Sequence, residues 1–249
     1  MVDVAAYLTR IGLSRRPDLD AVGLEELQRA HLTSVPFENL HVYSRRGVGT
    51  GVDWSIPKIV DRGRGGWCFE LNGAFAALLE ALGFEVQRRA AVVLLDGGTG
   101  DPNHLTLQVQ LDHPYPVDVE FGDSFIKPLR LDIAGVQEGG SGEFVIREVR
   151  GALTLNAVAN TGDLEPQYRL DGRVWSLGEF EPFSVKLQRE PGLAWTSSRF
   201  ATRLRGGGPE RVTLLHHRIK FRRDGKWEEL PVPAGKWEEQ LDRWFGLTP

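Results

Sequence analysis

The amino-acid sequence predicts an α+β fold, and three observations carry that prediction. Apolar residues recur every three to four positions in the first third and every two in the middle third, and the last third mixes both periods. At 249 residues the chain can bury a sizeable core. A net charge of −4 offers no surface for a general polyanion, so nucleic acid is not expected as a partner. No apolar run approaches membrane-spanning length, and Met1 to Tyr7 lack the regions of a signal peptide. A cytoplasmic protein without a membrane partner is expected.

The helices come first. Asp3 caps a run with Val4, Tyr7, Leu8 and Ile11 on one face, closed by Gly12. A second run covers Leu24 to Leu32, and Pro36 ends it, forcing extended backbone before Val35-Pro36-Phe37-Glu38-Asn39-Leu40. Ser55-Ile56-Pro57 reads as the cap and first turn of a short third helix. The glycine-rich Arg62-Gly63-Arg64-Gly65-Gly66 leads to Cys68, and from there Leu71, Phe75, Leu78 and Leu82 form the stripe of a helix stopped by Gly83.

Beyond Gly83 the period becomes two. Val86 to Leu95 predicts a strand, followed by a loop over Asp96 to Pro102. Leu105, Leu107, Val109 and Leu111 then alternate with His104, Thr106, Gln108 and Gln110, a half-buried strand with His104 on its polar face. After Pro114 and Pro116, Val117, Val119 and Phe121 alternate with Asp118 and Glu120. Short strands are expected at Leu129–Leu131, Glu143–Glu148 and Gln167–Leu170, as in a small barrel or sandwich. The last third predicts a helix near Ser197–Leu204, a loop at Gly206-Gly207-Gly208-Pro209, strands around Val212–Phe221 and a helix from Lys236 to Phe245.

The chemistry centres on Cys68, the only cysteine, which leaves no internal disulfide and no multi-cysteine metal site. A lone cysteine is commonly just a small buried hydrophobe. At a helix N-terminus, however, free N–H groups and the helix dipole favour the thiolate. A cysteine nucleophile needs a base, and the base a group to orient it. His104 and Asp118 lie on neighbouring strands and on the polar side of each, but the two prolines leave their register open. His31, His41, His113, His216 and His217 fit the role less well, and no histidine pair has zinc-ligand spacing, so no metal is expected. Spacing alone does not complete the triad.

The motifs go further. Arg64-Gly65-Gly66-Trp67-Cys68-Phe69-Glu70-Leu71-Asn72 resembles the R-G-G-x-C-x-E-x-N signature of the arylamine N-acetyltransferases, and Pro36-Phe37-Glu38-Asn39-Leu40 matches their P-F-E-N-L. His104-Leu105-Thr106-Leu107-Gln108-Val109 is similar to the strand that opens with the family histidine, and Val117-Asp118-Val119-Glu120-Phe121-Gly122 to its V-D-V-G-F-G. Weaker echoes follow at Pro166-Gln167-Tyr168-Arg169, Ser197-Ser198-Arg199-Phe200 and Phe245-Gly246-Leu247.

The resemblance implies a helical bundle over 1–85 carrying the nucleophile, a central β-barrel over 86–182 carrying His104 and Asp118, and an α/β lid over 183–249, around a cysteine-protease-like core. It implies a catalytic Cys68, His104 and Asp118, with Phe37, Trp67, Glu120 and Phe121 against substrate. Acetyl-CoA is the implied donor, no metal is involved, and an arylamine or arylhydrazine accepts the acetyl group from a Cys68 thioester in ping-pong order. Relatives of this fold that join a carrier-bound acyl chain to an aryl amine give a second reading, with a carrier protein as partner. A non-catalytic ligand-binding member is the third. Two departures stand out: Glu120 replaces the glycine of V-D-V-G-F-G, and Trp195-Thr196-Ser197-Ser198 lacks the proline of the P-x-S-x-F pattern. Glu120 is expected to narrow or repolarise the acceptor pocket unless it points to solvent.

Overall fold

A computed structural model describes residues 2–95, 100–206 and 208–249. Most of the loop expected over Asp96 to Pro102, and Gly207 of the later glycine loop, lie outside the described residues.

Five helices open the chain: α1 (Val4–Arg10), α2 (Ala21–Ser34), α3 (Leu40–Tyr43), α4 (Val52–Ile56) and α5 (Cys68–Leu82). Their caps follow the sequence. Asp3 Oδ1 accepts from Ala6 N at 3.0 Å, Asp20 Oδ1 accepts from Gly23 N at 2.8 Å, and Gly83 ends α5 at φ +108°. One expectation fails here. Ser55 lies inside α4 rather than at a cap, because Gly51 starts that helix and Pro57 interrupts its ladder. Proline offers no N–H to continue the α pattern, and the chain passes into a π turn over Pro57–Asp61.

The middle of the chain is one antiparallel sheet of seven strands, ordered β4-β3-β2-β8-β7-β6-β5. Its members are β2 (Glu85–Val93), β3 (His104–Gln110), β4 (Pro114–Val117), β5 (Val136–Glu138), β6 (Glu143–Val149), β7 (Ala152–Val158) and β8 (Leu164–Trp175). The strand expected at Leu129–Leu131 is absent; that segment instead ties Leu131 N to Pro114 O at 2.9 Å and buries Leu129 in the sheet's own core with Phe125, Phe144, Leu155 and Tyr168. β3 departs from half-burial as well. His104 and Thr106 are as buried as Leu105 and Leu107, because helix α5 covers one face and Tyr168 with Phe121 closes over the other.

The last third holds α6 (Glu181–Arg189), α7 (Ala194–Ser197), β9 (Ala201–Leu204), β10 (Arg211–Leu214), β11 (Arg218–Arg223), β12 (Lys226–Pro231) and α8 (Trp237–Phe245). The expected helix near Ser197–Leu204 is corrected: Ala201–Leu204 is a strand, held between β10 and the two-residue β1 (Phe37–Glu38). Pairing on both edges overrides a weak local preference. The second sheet therefore runs β1-β9-β10-β11-β12, and its first strand comes from the N-terminal part of the chain.

β1 is the junction of the molecule. Glu38 N donates to Gly66 O at 2.8 Å on one side, and Phe37 pairs with Thr202 on the other. Gly65 has to be glycine there, since a Cβ would stand 2.0 Å from Pro36 O. Beneath β1 lies a buried ionic cluster. Lys58 Nζ donates to both oxygens of Glu70 at 2.9 Å and stands 3.7 Å from Glu38 Oε1, with no side chain more than 1% exposed. Trp54 Nε1 and Trp67 N also donate to Glu70, and Leu40 N donates to Glu38 Oε2.

Removing one partner of such a cluster leaves uncompensated buried charge. Lys58→Met is expected to lower unfolding free energy by about 3–5 kcal/mol in denaturant titrations. Burial already holds the Glu70 carboxyl above its ordinary value in spite of Lys58, so the loss should shrink as acid protonates the stranded carboxyls. A Lys58→Met/Glu70→Gln pair should be milder than Lys58→Met alone; equal destabilisation of both would show that Lys58 does not balance Glu70.

Candidate active site

Cys68 is the first residue of α5, behind Trp67 at the cap position. Glu70, three residues past that cap, turns back to accept from Trp67 N at 3.2 Å, so the carboxylate that pairs with Lys58 also fixes the turn presenting the thiol. Gly66 is required beside it: a Cβ there would stand 2.7 Å from Glu70 Oε2.

His104 starts β3, and Asp118 follows the end of β4. The open register is settled by the Leu107–Val117 pair. Continued past Val117, it sets Asp118 opposite Thr106 and Glu120 opposite His104. The chain bends away there, and Asp118 Oδ2 meets His104 Nε2 at 2.6 Å. Asp118 Oδ1 accepts from Asn72 Nδ2 at 2.9 Å and from Glu120 N at 3.0 Å. Asn72 also donates to Leu105 O and accepts from Val119 N, so one amide binds α5, β3 and the Asp118 bend together. Burial alone would raise the Asp118 carboxyl, but His104, Asn72 and the Glu120 N–H together hold it below the usual carboxylate value.

Glu120 is buried, and it faces the same imidazole from the far side, with Oε2 at 3.6 Å from His104 Nδ1. Cys68 Sγ, a ring nitrogen of His104 and a Glu120 carboxylate oxygen all lie within 4.8 Å of one another. The alternative in which Glu120 points to solvent is thereby excluded. Burial, and then the Asp118 charge, push the Glu120 carboxyl well above its ordinary value. The expected bias of Cys68 toward thiolate is reversed at rest for related reasons. Burial first, and next the Glu120 carboxylate, push the thiol up, against backbone N–H groups of Leu105 and Phe69 that favour the anion.

Phe37, Trp67, Glu120 and Phe121 all line one cavity of about 80 Å³ with Cys68 and His104. Asp118 does not line it and stands behind the imidazole. Val93, Leu95, Asn103, Leu187 and Trp195 complete the wall; of these the sequence marks only Trp195, as part of a motif departure rather than as a lining residue. Trp195 is brought in by Asn39, whose Nδ2 donates to Trp195 O and Ser198 O at 2.8 Å while Oδ1 accepts from Phe200 N. Lys58 and Asn72 were missed too; Asn72 lay inside the cysteine motif, whereas nothing near Lys58 marked it.

A profile of the N-acetyltransferase family matches residues 18–248. The arylamine N-acetyltransferase of Mycolicibacterium smegmatis is 39% identical over 146 residues, which cover 55% of this chain and 53% of that protein. That match spans about half of the relative's length. Human arylamine N-acetyltransferase 1 is 28% identical over 250 residues, covering 89% of this chain and 85% of its own. Among solved structures, the arylamine N-acetyltransferase from Salmonella typhimurium superposes with a TM-score of 0.92 at 25% identity, covering 99% of this chain and 92% of that one. The Mycobacterium marinum enzyme in complex with CoA gives 0.90 at 26% identity, covering 98% and 92%. A profile match over nearly the whole sequence, on a shared fold, makes this chain a member of the arylamine N-acetyltransferase family, and so an acyltransferase.

Proposed function

We propose that this chain moves an acetyl group from acetyl-CoA to an arylamine or arylhydrazine, in ping-pong order, through a thioester on Cys68. The observation that carries the reading is the convergence of a buried thiol at a helix start, an imidazole, and a carboxylate 2.6 Å behind that imidazole. The Mycobacterium marinum relative solved in complex with CoA supports the donor.

With Asp118 ionised and accepting from Nε2–H, His104 is held in the tautomer that presents a lone pair at Nδ1. That nitrogen takes the Cys68 proton as the sulfur attacks the acetyl carbonyl, and returns it to the departing CoA sulfur. Exchange of one thioester for another is nearly isoenergetic, so the acyl-enzyme forms readily. An aromatic amine is neutral near pH 7 and attacks the thioester directly; His104 then takes its proton and passes it back to the Cys68 sulfur. A resting thiol raised by burial fits this order, because proton transfer accompanies attack rather than preceding it. The thiol's own helix-start N–H groups and a neighbouring strand N–H would stabilise the oxyanion.

Intact-protein mass spectrometry after mixing with acetyl-CoA should show one added acetyl group, located on Cys68 and discharged by an arylamine. Alkylation by iodoacetamide should be slower than for a helix-start thiolate, and acetyl-CoA should protect against it. A mass unchanged by acetyl-CoA would remove the acetyltransferase reading and favour a ligand-binding module.

Asp118→Asn places an N–H₂ against His104 Nε2 and forces the other tautomer, so turnover should fall by about 10⁴-fold with the fold intact by circular dichroism. Asp112, whose Oδ1 accepts from His113 N and Tyr115 Oη, is the control. Loss on Asp112→Asn with a silent Asp118→Asn would overturn the assignment.

Glu120 puts a second carboxyl in the pocket and should disfavour acidic acceptors. Glu120→Gly is expected to raise kcat/KM for an aminobenzoate by about tenfold or more relative to a neutral arylamine, the factor that 1.4 kcal/mol of relieved repulsion would give. The same change for both acceptors would show that Glu120 does not select among them.

A further inference from the structure

Glu120 also alters what the site can bind. Three different metal-ligating atoms converge on one buried pocket: a sulfur, an imidazole nitrogen and a carboxylate oxygen, all within 4.8 Å of one another. Among the described residues no other cluster of this kind occurs. Neighbouring ligand atoms in a tetrahedral zinc site stand about 3.3–3.6 Å apart, given bonds of about 2.0–2.3 Å. The Nδ1–Oε2 edge already measures 3.6 Å, and the three ligand atoms lie within 4.8 Å of one another.

The surroundings suit a metal as well. His104 Nε2 is engaged by Asp118 at 2.6 Å, the carboxylate–histidine arrangement that orients a metal-binding imidazole and leaves Nδ1 free to donate its lone pair. Among the described residues no lysine or arginine lines the cavity to balance the acidic groups. A thiolate, a carboxylate and a neutral imidazole match the charge of a divalent ion. The cavity itself provides the open fourth position that three-ligand zinc sites keep.

We infer that Cys68, His104 and Glu120 form a three-ligand site for a thiophilic divalent cation of the zinc class, and that its capture shuts the acyl site. The metal acts as an inhibitor here, not as a cofactor. On binding, the Cys68 S–H bond breaks, its proton goes to buffer together with any proton held by the Glu120 carboxyl, and the sulfur and carboxylate electron pairs go to the metal; nothing is oxidised or reduced. Thiolate and imidazole ligands select zinc or cadmium over magnesium or calcium. With glycine at 120, two protein ligands would remain.

Binding does not depend on the proposed acetyl transfer; only the inhibition rests on it. The test is a titration of the reduced, full-length protein with Co²⁺ under argon. One equivalent should produce sulfur-to-cobalt absorption in the near ultraviolet and tetrahedral bands in the visible, both abolished by Zn²⁺ or by prior alkylation of Cys68. Glu120→Gly, shown to be folded by its circular dichroism melt, should weaken binding by about 100-fold or more, and Asp118→Asn by about 10–100-fold. Absence of the sulfur-to-cobalt band, or equal affinities for the wild type and Glu120→Gly, would overturn the site. Saturating Zn²⁺ should also stop thioester formation in the mass assay, and full acylation of the zinc-loaded protein would overturn the inhibition. If no thioester forms even without metal, the acetyltransferase reading fails on its own, and the cobalt spectrum still decides the site.

Discussion

The buried attraction of Lys58 for Glu70 and Glu38 is the constraint on which the rest of this structure depends. Two acidic residues from separate motifs share one cation at full burial, so each element that carries them must arrive in register. Glu70 fixes the turn before Cys68, Glu38 fixes the strand beside it, and Lys58 comes from the π turn between α4 and the glycine loop. Buried ion pairs contribute little net stability, because desolvation consumes most of the Coulomb gain. Their effect is specificity: any packing that separated the three groups would strand a charge in the core.

That specificity is passed outward by amides. Asn72, one helical turn past the thiol, fixes the carboxylate that orients the imidazole, and Asn39 fixes the segment that brings Trp195 to the cavity. The thiol, imidazole and carboxylate are therefore held from behind, by side chains that do not line the pocket. The candidate site stands at the meeting of three structural layers: α5 supplies the thiol, β3 and the bend after β4 supply imidazole and carboxylate, and α6–α7 supply Leu187 and Trp195.

Glu120 is where this chain departs from its family pattern. A carboxyl in place of a glycine fills room beside Cys68 and raises the resting thiol. It gives the imidazole a second acidic neighbour, with no lysine or arginine among the described residues of the cavity wall. The proposed acceptor choice and the proposed metal capture both rest on that one side chain. They differ in what they need, since the first asks only for charge and volume and the second for three donor atoms at bonding distance.

The sequence by itself determined the local structure that propensity and capping control. Asp3, Asp20 and Gly83 set helix boundaries, and the apolar stripe through Leu71, Phe75 and Leu78 determined that Cys68 would stand at a helix start. Its motifs identified Cys68, His104 and Asp118 as one set. Only the tertiary structure decided what depends on long-range pairing. Ala201–Leu204 is a strand because β1 and β10 flank it, and His104 is buried because α5 and Tyr168 cover β3. The Leu107–Val117 register placed both Asp118 and Glu120 against one imidazole. Lys58 had no mark in the sequence at all, because a lysine becomes a core residue only where distant carboxylates meet it. Alternation gives the face a side chain takes, but only the packed neighbours decide whether that face meets water.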